Sequence, residues 1–142
     1  MVHALDDIRR VLSPDGILID IRPLADRWHI GVESAREFRE TGRVDDLPLQ
    51  VNGDVASNQA MQEVEARGWF HHEQEELFPF FYSWDTPSEM EEFIAEDWSD
   101  FIQLNDAAKK ETRFAWASAD ADAQVRVNVQ ILITRWKVIK ER

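Results

Sequence analysis

Apolar and polar residues alternate with two different periods along this chain. The first apolar positions recur at the spacing of a helix: Val2, Leu5, Ile8, Val11 and Leu12. A turn at Pro14-Asp15-Gly16 ends that helix. The run from Ile17 to Ile21 is then apolar on both faces apart from Asp20, which is typical of a strand inside a sheet covered on both sides.

The rest of the chain continues this alternation of strand and helix patterns. Period-two alternation predicts further strands at 28–33, 36–44, 69–84 and 125–138. Helical spacing predicts helices at 55–67, 86–98 and 101–116, with Asp54 and Thr86 as N-caps and 45–53 as a loop. The pattern therefore predicts one α+β domain over residues 1–142. We expect a mixed or mainly antiparallel sheet of about four or five strands with three or four helices packed on it.

Composition narrows the classes of function. The chain has 142 residues and a formal net charge of −12, which disfavours binding to nucleic acid and to anionic membranes. The absence of cysteine excludes disulfides, thiolate metal sites and a cysteine nucleophile. We find no signal-peptide pattern and no apolar run of the roughly 18 residues that a membrane helix needs, so we expect a cytoplasmic protein.

The familiar catalytic and metal-binding motifs are missing. No two of the five glycines form Gly-x-Gly, so the sequence has no dinucleotide fingerprint, and no serine has the glycine flanks of a nucleophile elbow. His71 and Glu73 share one face of a predicted strand, but two ligands are too few for a metal site. The carboxylates crowded at 89–100 are typical of a solvated helix face. We therefore expect no metal.

The aromatic residues and one buried carboxylate are the other candidates. Phe78, Phe80, Tyr82 and Trp84 share a predicted strand face, which favours the hydrophobic core but could also line a ligand pocket. A buried Tyr82 would need a hydrogen-bond partner. Asp20 either lies where α/β enzymes bind ligands or forms an ion pair with Arg22 or Arg27.

The stretch from Ala4 to Pro23, ALDDIRRVLSPDGILIDIRP, resembles the late segment of class I S-adenosylmethionine-dependent methyltransferases. In that family a helix ending in RVL and a Pro-x-Gly turn lead into the fifth strand of a Rossmann-like sheet. The matching residues are Arg10-Val11-Leu12, Pro14, Gly16 and the strand from Ile17 to Ile21, while Asp15 stands where a second glycine is common.

Three later segments follow the same family order. EVEARGWF at 63–70 resembles the helix and turn before the sixth strand, WDTPSEMEEFIAEDW at 84–98 an inserted substrate-side helix, and VRVNVQILITRWK at 125–137 the terminal strand. The resemblance thus covers most of the chain in order. It implies the C-terminal half of a Rossmann-like methyltransferase.

The resemblance also implies what this chain lacks. The family binds its cofactor with a Gly-rich turn after the first strand and an acidic residue after the second, and both would precede Met1. No catalytic or cofactor-binding residue can therefore be assigned, and we expect no bound S-adenosylmethionine for the chain alone. The strand from Ile17 to Ile21 would expose an apolar edge, so we expect a homodimer or a partner chain that covers it.

Three hypotheses of function follow. The first is a methyltransferase-like domain that is not catalytic alone and has a binding or assembly role as a homodimer. The second is the substrate-side half of a split or truncated methyltransferase, with substrate-binding candidates chosen by position: Asp20, Arg22, His29, Tyr82 and Trp84. The third is a small α+β protein that binds an apolar ligand in an aromatic pocket.

Overall fold

The computed structural model describes residues 1–141 and shows an α+β fold. Over that range the helices are Val2–Val11 (α1), Pro48–Ala66 (α2), Pro87–Asp97 (α3) and Asp106–Ala117 (α4). The strands are Ile17–Pro23 (β1), His29–Glu33 (β2), Phe38–Arg43 (β3), Asp45–Asp46 (β4), Phe70–Trp84 (β5), Ile102–Gln103 (β6) and Gln124–Val138 (β7). The mainly antiparallel five-stranded sheet has the order β1-β7-β2-β3 with β5 also paired to β7, and β4 and β6 form a separate two-stranded sheet. The predicted fold class is confirmed at this level.

The chain divides into two compact units. Unit 1 contains residues 1–24, 52–78 and 131–142, and unit 2 contains 25–51 and 79–130. The two longest strands, β5 and β7, each contribute residues to both units.

Unit 1 is built on the pairing of β1 with the second half of β7. The strands are antiparallel, with Ile17 opposite Lys137 and Pro23 opposite Ile131. Helices α1 and α2 cover one face of this pair and bury a cluster of side chains: Leu5, Ala60, Met61, Val64, Phe70, Trp136 and Val138. The α2 helix ends at a turn in which Gly68 has φ +69°, a left-handed conformation that glycine adopts without steric cost.

In unit 2 the β2 strand lies between β3 and β7, and α4 packs on β2 and β3. The β2 strand pairs antiparallel with β3 and with the first half of β7, and a bulge lies between Ile30 and Gly31. The hydroxyls of Thr41 on β3 and Thr112 on α4 are 2.6 Å apart and tie the helix to the sheet. Arg113 of α4 bonds to Glu91 of α3, and this hydrogen bond and the negative charge raise the pKa of Arg113.

Two predicted boundaries were wrong for a shared reason. The α2 helix begins at Pro48, so the predicted loop at 45–53 is largely helical and Asp54 lies inside the helix instead of capping it. The predicted helix at 101–116 instead begins at Asp106, where the Asn105 side chain accepts a hydrogen bond from the Ala108 N–H at 2.8 Å. Residues of both segments pair as β4 and β6, which is a contact between distant residues that local pattern cannot predict.

The α3 helix begins as predicted. Thr86 accepts a hydrogen bond from the Glu89 N–H at 3.2 Å, and the Glu89 carboxylate accepts one from the Asp85 N–H at 3.0 Å. The first bond is the N-cap half of a capping box, whereas the Glu89 carboxylate accepts from the residue before the N-cap; Pro87 lies in the first turn. The local residues alone are sufficient to specify this helix start.

Candidate functional site

The five predicted substrate-binding residues fall into two groups. Asp20 and Arg22 belong to unit 1, whereas His29, Tyr82 and Trp84 belong to unit 2. Unit 2 therefore contains three of the five candidates.

Asp20 and Arg22 hold β1 to the helix that covers it. The carboxylate of Asp20 lies 3.5 Å from Arg22 Nε. The Arg22 guanidinium also donates to the side chain of Asn58 on α2 at 2.5 Å. Of the two partners considered for Asp20, the structure shows Arg22, since Arg27 pairs instead with Asp45 at 3.7 Å. This ion pair accounts for a carboxylate in an apolar strand without requiring a ligand.

The opposite face of β1 carries partly exposed isoleucines, and on β7 the charged Lys137 and Arg135 lie directly opposite Ile17 and Ile19. Ile17, Ile19 and Ile21 are 44%, 43% and 62% exposed, although a strand of this composition was expected to be covered on both faces. Half-buried Ile131 and Ile133 of β7 lie directly opposite Pro23 and Ile21, so they extend the same face. Within the part of the chain that the structure describes, β7 is the strand that pairs with β1, and the second edge of β1 has no strand partner.

The aromatic side chains of unit 2 form a cluster around Trp98. Its ring lies 4.8 Å from that of Tyr82, 5.3 Å from Trp28 and 6.1 Å from Trp84, each in an edge-to-face arrangement. Such contacts add about 0.5–1.5 kcal/mol per pair beyond area burial. We call these four residues and Phe93, which is 5.1 Å from Trp98, the aromatic cluster.

The aromatic strand is more exposed than a core strand. Phe80 and Tyr82 are 47% and 38% exposed, so the preferred assignment of this face to the hydrophobic core was wrong for them. Phe81, on the opposite face of β5, is 45% exposed and lies 3.7 Å beneath the guanidinium of Arg126. Tyr82 is therefore not buried, and it presents aromatic surface that a ligand can contact.

His29 is held by a carboxylate on the neighbouring strand. Its Nδ1 lies 2.8 Å from Glu40 Oε1, and the same oxygen is 3.6 Å from Arg43 Nε. The spacing of His29 and Glu40 in the sequence does not predict that they are in contact. The bulge between Ile30 and Gly31 shifts the β2–β3 register, so that Glu40 stands opposite Gly31.

His29 also lines a cavity of about 180 Å³. Asp26, Trp28, Pro79 and Asn128 also line this cavity. Trp28 belongs both to this cavity and to the aromatic cluster, so the two are contiguous within unit 2. Sequence analysis selected His29, Tyr82 and Trp84 but missed Asp26 and Asn128, because these come from different elements.

The loop before β2 carries a strained residue. Arg27 has φ +41°, in the left-handed region that a side chain with a Cβ disfavours. Its backbone N–H donates to Asp46 Oδ2 at 3.0 Å, and its guanidinium pairs with Asp45. These contacts hold the loop that presents Asp26 and Trp28 to the cavity.

Residues 1–141 contain no group of three histidine or acidic side chains placed to hold a metal ion; His71 instead lies 3.8 Å from Glu65, and Glu73 lies 2.9 Å from Arg135. No helix in the described range has both the length and the apolar character to cross a membrane.

Comparisons with family models, curated proteins and solved structures gave no match. The candidate site therefore rests on the geometry of unit 2.

Proposed function

We propose that this chain is the substrate-side part of a methyltransferase-like fold that uses S-adenosylmethionine, and that it does not bind this cofactor or transfer a methyl group by itself. The cofactor-binding strands belong to another polypeptide segment, which pairs with β1. The finer fold is then the C-terminal half of a Rossmann-like methyltransferase.

The observation that carries the proposal is the open face and edge of β1. Edge strands in stable proteins are normally shortened, charged or covered, because unpaired backbone groups beside apolar side chains promote association. Here three isoleucines remain 43–62% exposed on a seven-residue strand. A sheet that continues past β1 would pair its open backbone edge, and a layer packed on the face that carries these isoleucines would bury their side chains.

The arrangement of unit 2 supports a substrate-side role. It places an aromatic cluster next to a cavity that contains an imidazole held by a carboxylate. A ligand pocket is typically apolar with a few converging polar groups. This is the combination expected where a methyltransferase holds the molecule that receives the methyl group.

A second candidate function uses the same edge of β1. In a homodimer, β1 pairs with its copy and the chain has a binding or assembly role without catalysis. The exposed isoleucines support this candidate as well, because a second copy presents an identical apolar face.

Calorimetric titration with S-adenosylmethionine tests the proposal. We expect no binding heat with the purified chain and measurable binding once a segment carrying a strand followed by Gly-x-Gly is supplied. Tight binding by the chain alone would overturn the proposal. If the chain forms a dimer and no such segment restores binding, the homodimer is the better account.

A further inference from the structure

Within unit 2, the His29–Glu40 pair and the adjoining cavity form a site that accepts a proton. We propose that His29 Nε2 receives the proton of a hydroxyl or amine on an aromatic or otherwise apolar substrate, and that Glu40 is the positioning residue that holds the imidazole. This inference rests on the proposed function and names the substrate class of that same site.

The contact with Glu40 determines which nitrogen of the His29 ring carries the hydrogen. At 2.8 Å, Nδ1 must carry the hydrogen, because two acceptor lone pairs would repel. In the neutral ring, Nε2 then keeps its lone pair and can accept a proton. Arg43 Nε lies 3.6 Å from the same carboxylate oxygen and forms an ion pair with it. The pair therefore combines an oriented base with a carboxylate that stabilises the imidazolium formed.

The size of the cavity indicates how much of the substrate it holds. A whole drug-sized ligand needs roughly 300–1,000 Å³, whereas this cavity has about 180 Å³. It therefore fits the reacting group, while the body of the substrate lies outside. Tyr82, the exposed member of the aromatic cluster, offers that body an apolar surface, and the buried Trp28 both lines the cavity and contacts the cluster.

The polar lining selects a hydrogen-bond donor. Asp26 and the imidazole of His29 both accept hydrogen bonds, and Asn128 contributes an amide group. A hydroxyl or an amine satisfies these acceptors, whereas a carboxylate or phosphate would be repelled by Asp26. The net charge of −12 acts in the same direction.

The transfer requires S-adenosylmethionine as the methyl donor, supplied with the cofactor-binding segment. The oxygen or nitrogen lone pair of the substrate would form the bond to the methyl carbon, and the donor would keep the electron pair of the broken carbon–sulfur bond as a neutral thioether. The proton of the hydroxyl or amine passes to His29 Nε2, and the resulting imidazolium stays paired with Glu40.

Imidazole nitrogen NMR on the intact, ¹⁵N-labelled chain tests the site without any cofactor. We expect wild-type His29 to be the Nδ1–H tautomer. In Glu40→Leu, the Nδ1–H group loses its acceptor, so the Nδ1–H tautomer should no longer dominate. A purely structural Glu40 would leave the tautomer unchanged, and that result would overturn its positioning role.

Binding is measured with tyramine, which carries an aromatic ring, a hydroxyl and an amine, and with benzoate as the matched anion. Tyramine should shift resonances of His29 and Trp28, and His29→Gln should weaken its binding about tenfold. His71→Gln is the control, because His71 lies in unit 1 and its side chain is 67% exposed. It should leave binding unchanged.

Three results would overturn the inference: an Nε2–H tautomer in the wild type, tyramine shifts that miss the cavity, or benzoate binding as tightly as tyramine. An equal loss in His71→Gln would also do so. None of these measurements involves β1 or S-adenosylmethionine. If the NMR and tyramine measurements contradict the role of His29, the proposed function still stands. If cofactor binding or association fails, the NMR and tyramine measurements can still be interpreted.

Discussion

Replacing Ile21 with serine distinguishes the contribution of this side chain to association from its contribution to the stability of the fold. Ile21 is 62% exposed in the isolated chain, so only about a third of its side chain contributes to the folded core. Full burial of such a side chain is worth about 1.5–3 kcal/mol. The substitution should therefore lower the free energy of unfolding by only about 0.5–1 kcal/mol.

The effect on association is larger. The remaining two-thirds of the side chain corresponds to about 1–2 kcal/mol for each Ile21 that becomes buried. In a symmetric dimer the substitution removes one Ile21 side chain from each protomer. The binding free energy then falls by about 2–4 kcal/mol, which raises the dissociation constant roughly 30-fold to 1,000-fold. Sedimentation equilibrium measures this constant, and urea unfolding measures the stability.

Val11→Ser is the matched control. Val11 is 71% exposed but lies on α1, so its replacement should leave the dissociation constant unchanged. Salt should tighten wild-type association, because it screens the repulsion between two chains of charge −12. An unchanged dissociation constant in Ile21→Ser, or an equal change in Val11→Ser, refutes the assignment of β1 as the association surface.

Three further predictions concern the two units and are measured by urea unfolding. Gly31→Ala should destabilise the protein by about 1–3 kcal/mol, because a Cβ at Gly31 would lie 2.7 Å from the backbone oxygen of Arg39; an unchanged midpoint would contradict the close approach. Thr112→Val should cost about 0.5–1.5 kcal/mol through loss of the 2.6 Å contact with Thr41, whereas no loss would show that α4 is held without it. Phe70→Ala should cost about 3–5 kcal/mol, since Phe70 is 0% exposed; a cost below 1 kcal/mol would argue against the unit 1 core.

Much of the fold could be predicted because its signals are local. The alternation at Gln124–Val138, the capping residues at Thr86 and Glu89, and the helical spacing after Met1 each specify one element without help from the rest of the chain. These elements have the predicted type, and their ends lie close to the predicted positions.

The remaining features depend on contacts between residues far apart in sequence. The pairing of Asp45–Asp46 with Ile102–Gln103 replaces a predicted loop and part of a predicted helix. Glu40 reaches His29 only because a bulge shifts the register of two strands. Exposure of Tyr82 depends on what packs over β5, which its own alternation cannot reveal.

Hydrogen–deuterium exchange along β1 tests the central claim most directly. At low protein concentration, the amides between Ile17 and Arg22 that point away from β7 should exchange rapidly, since that edge has no strand partner in the described chain. They should become protected when a segment that carries the cofactor-binding strands is supplied, or at high concentration if β1 pairs with a second copy of the chain. S-adenosylmethionine added to the chain alone should make no difference. Slow exchange of these amides already at low concentration, or protection that appears on adding S-adenosylmethionine alone, would contradict the account.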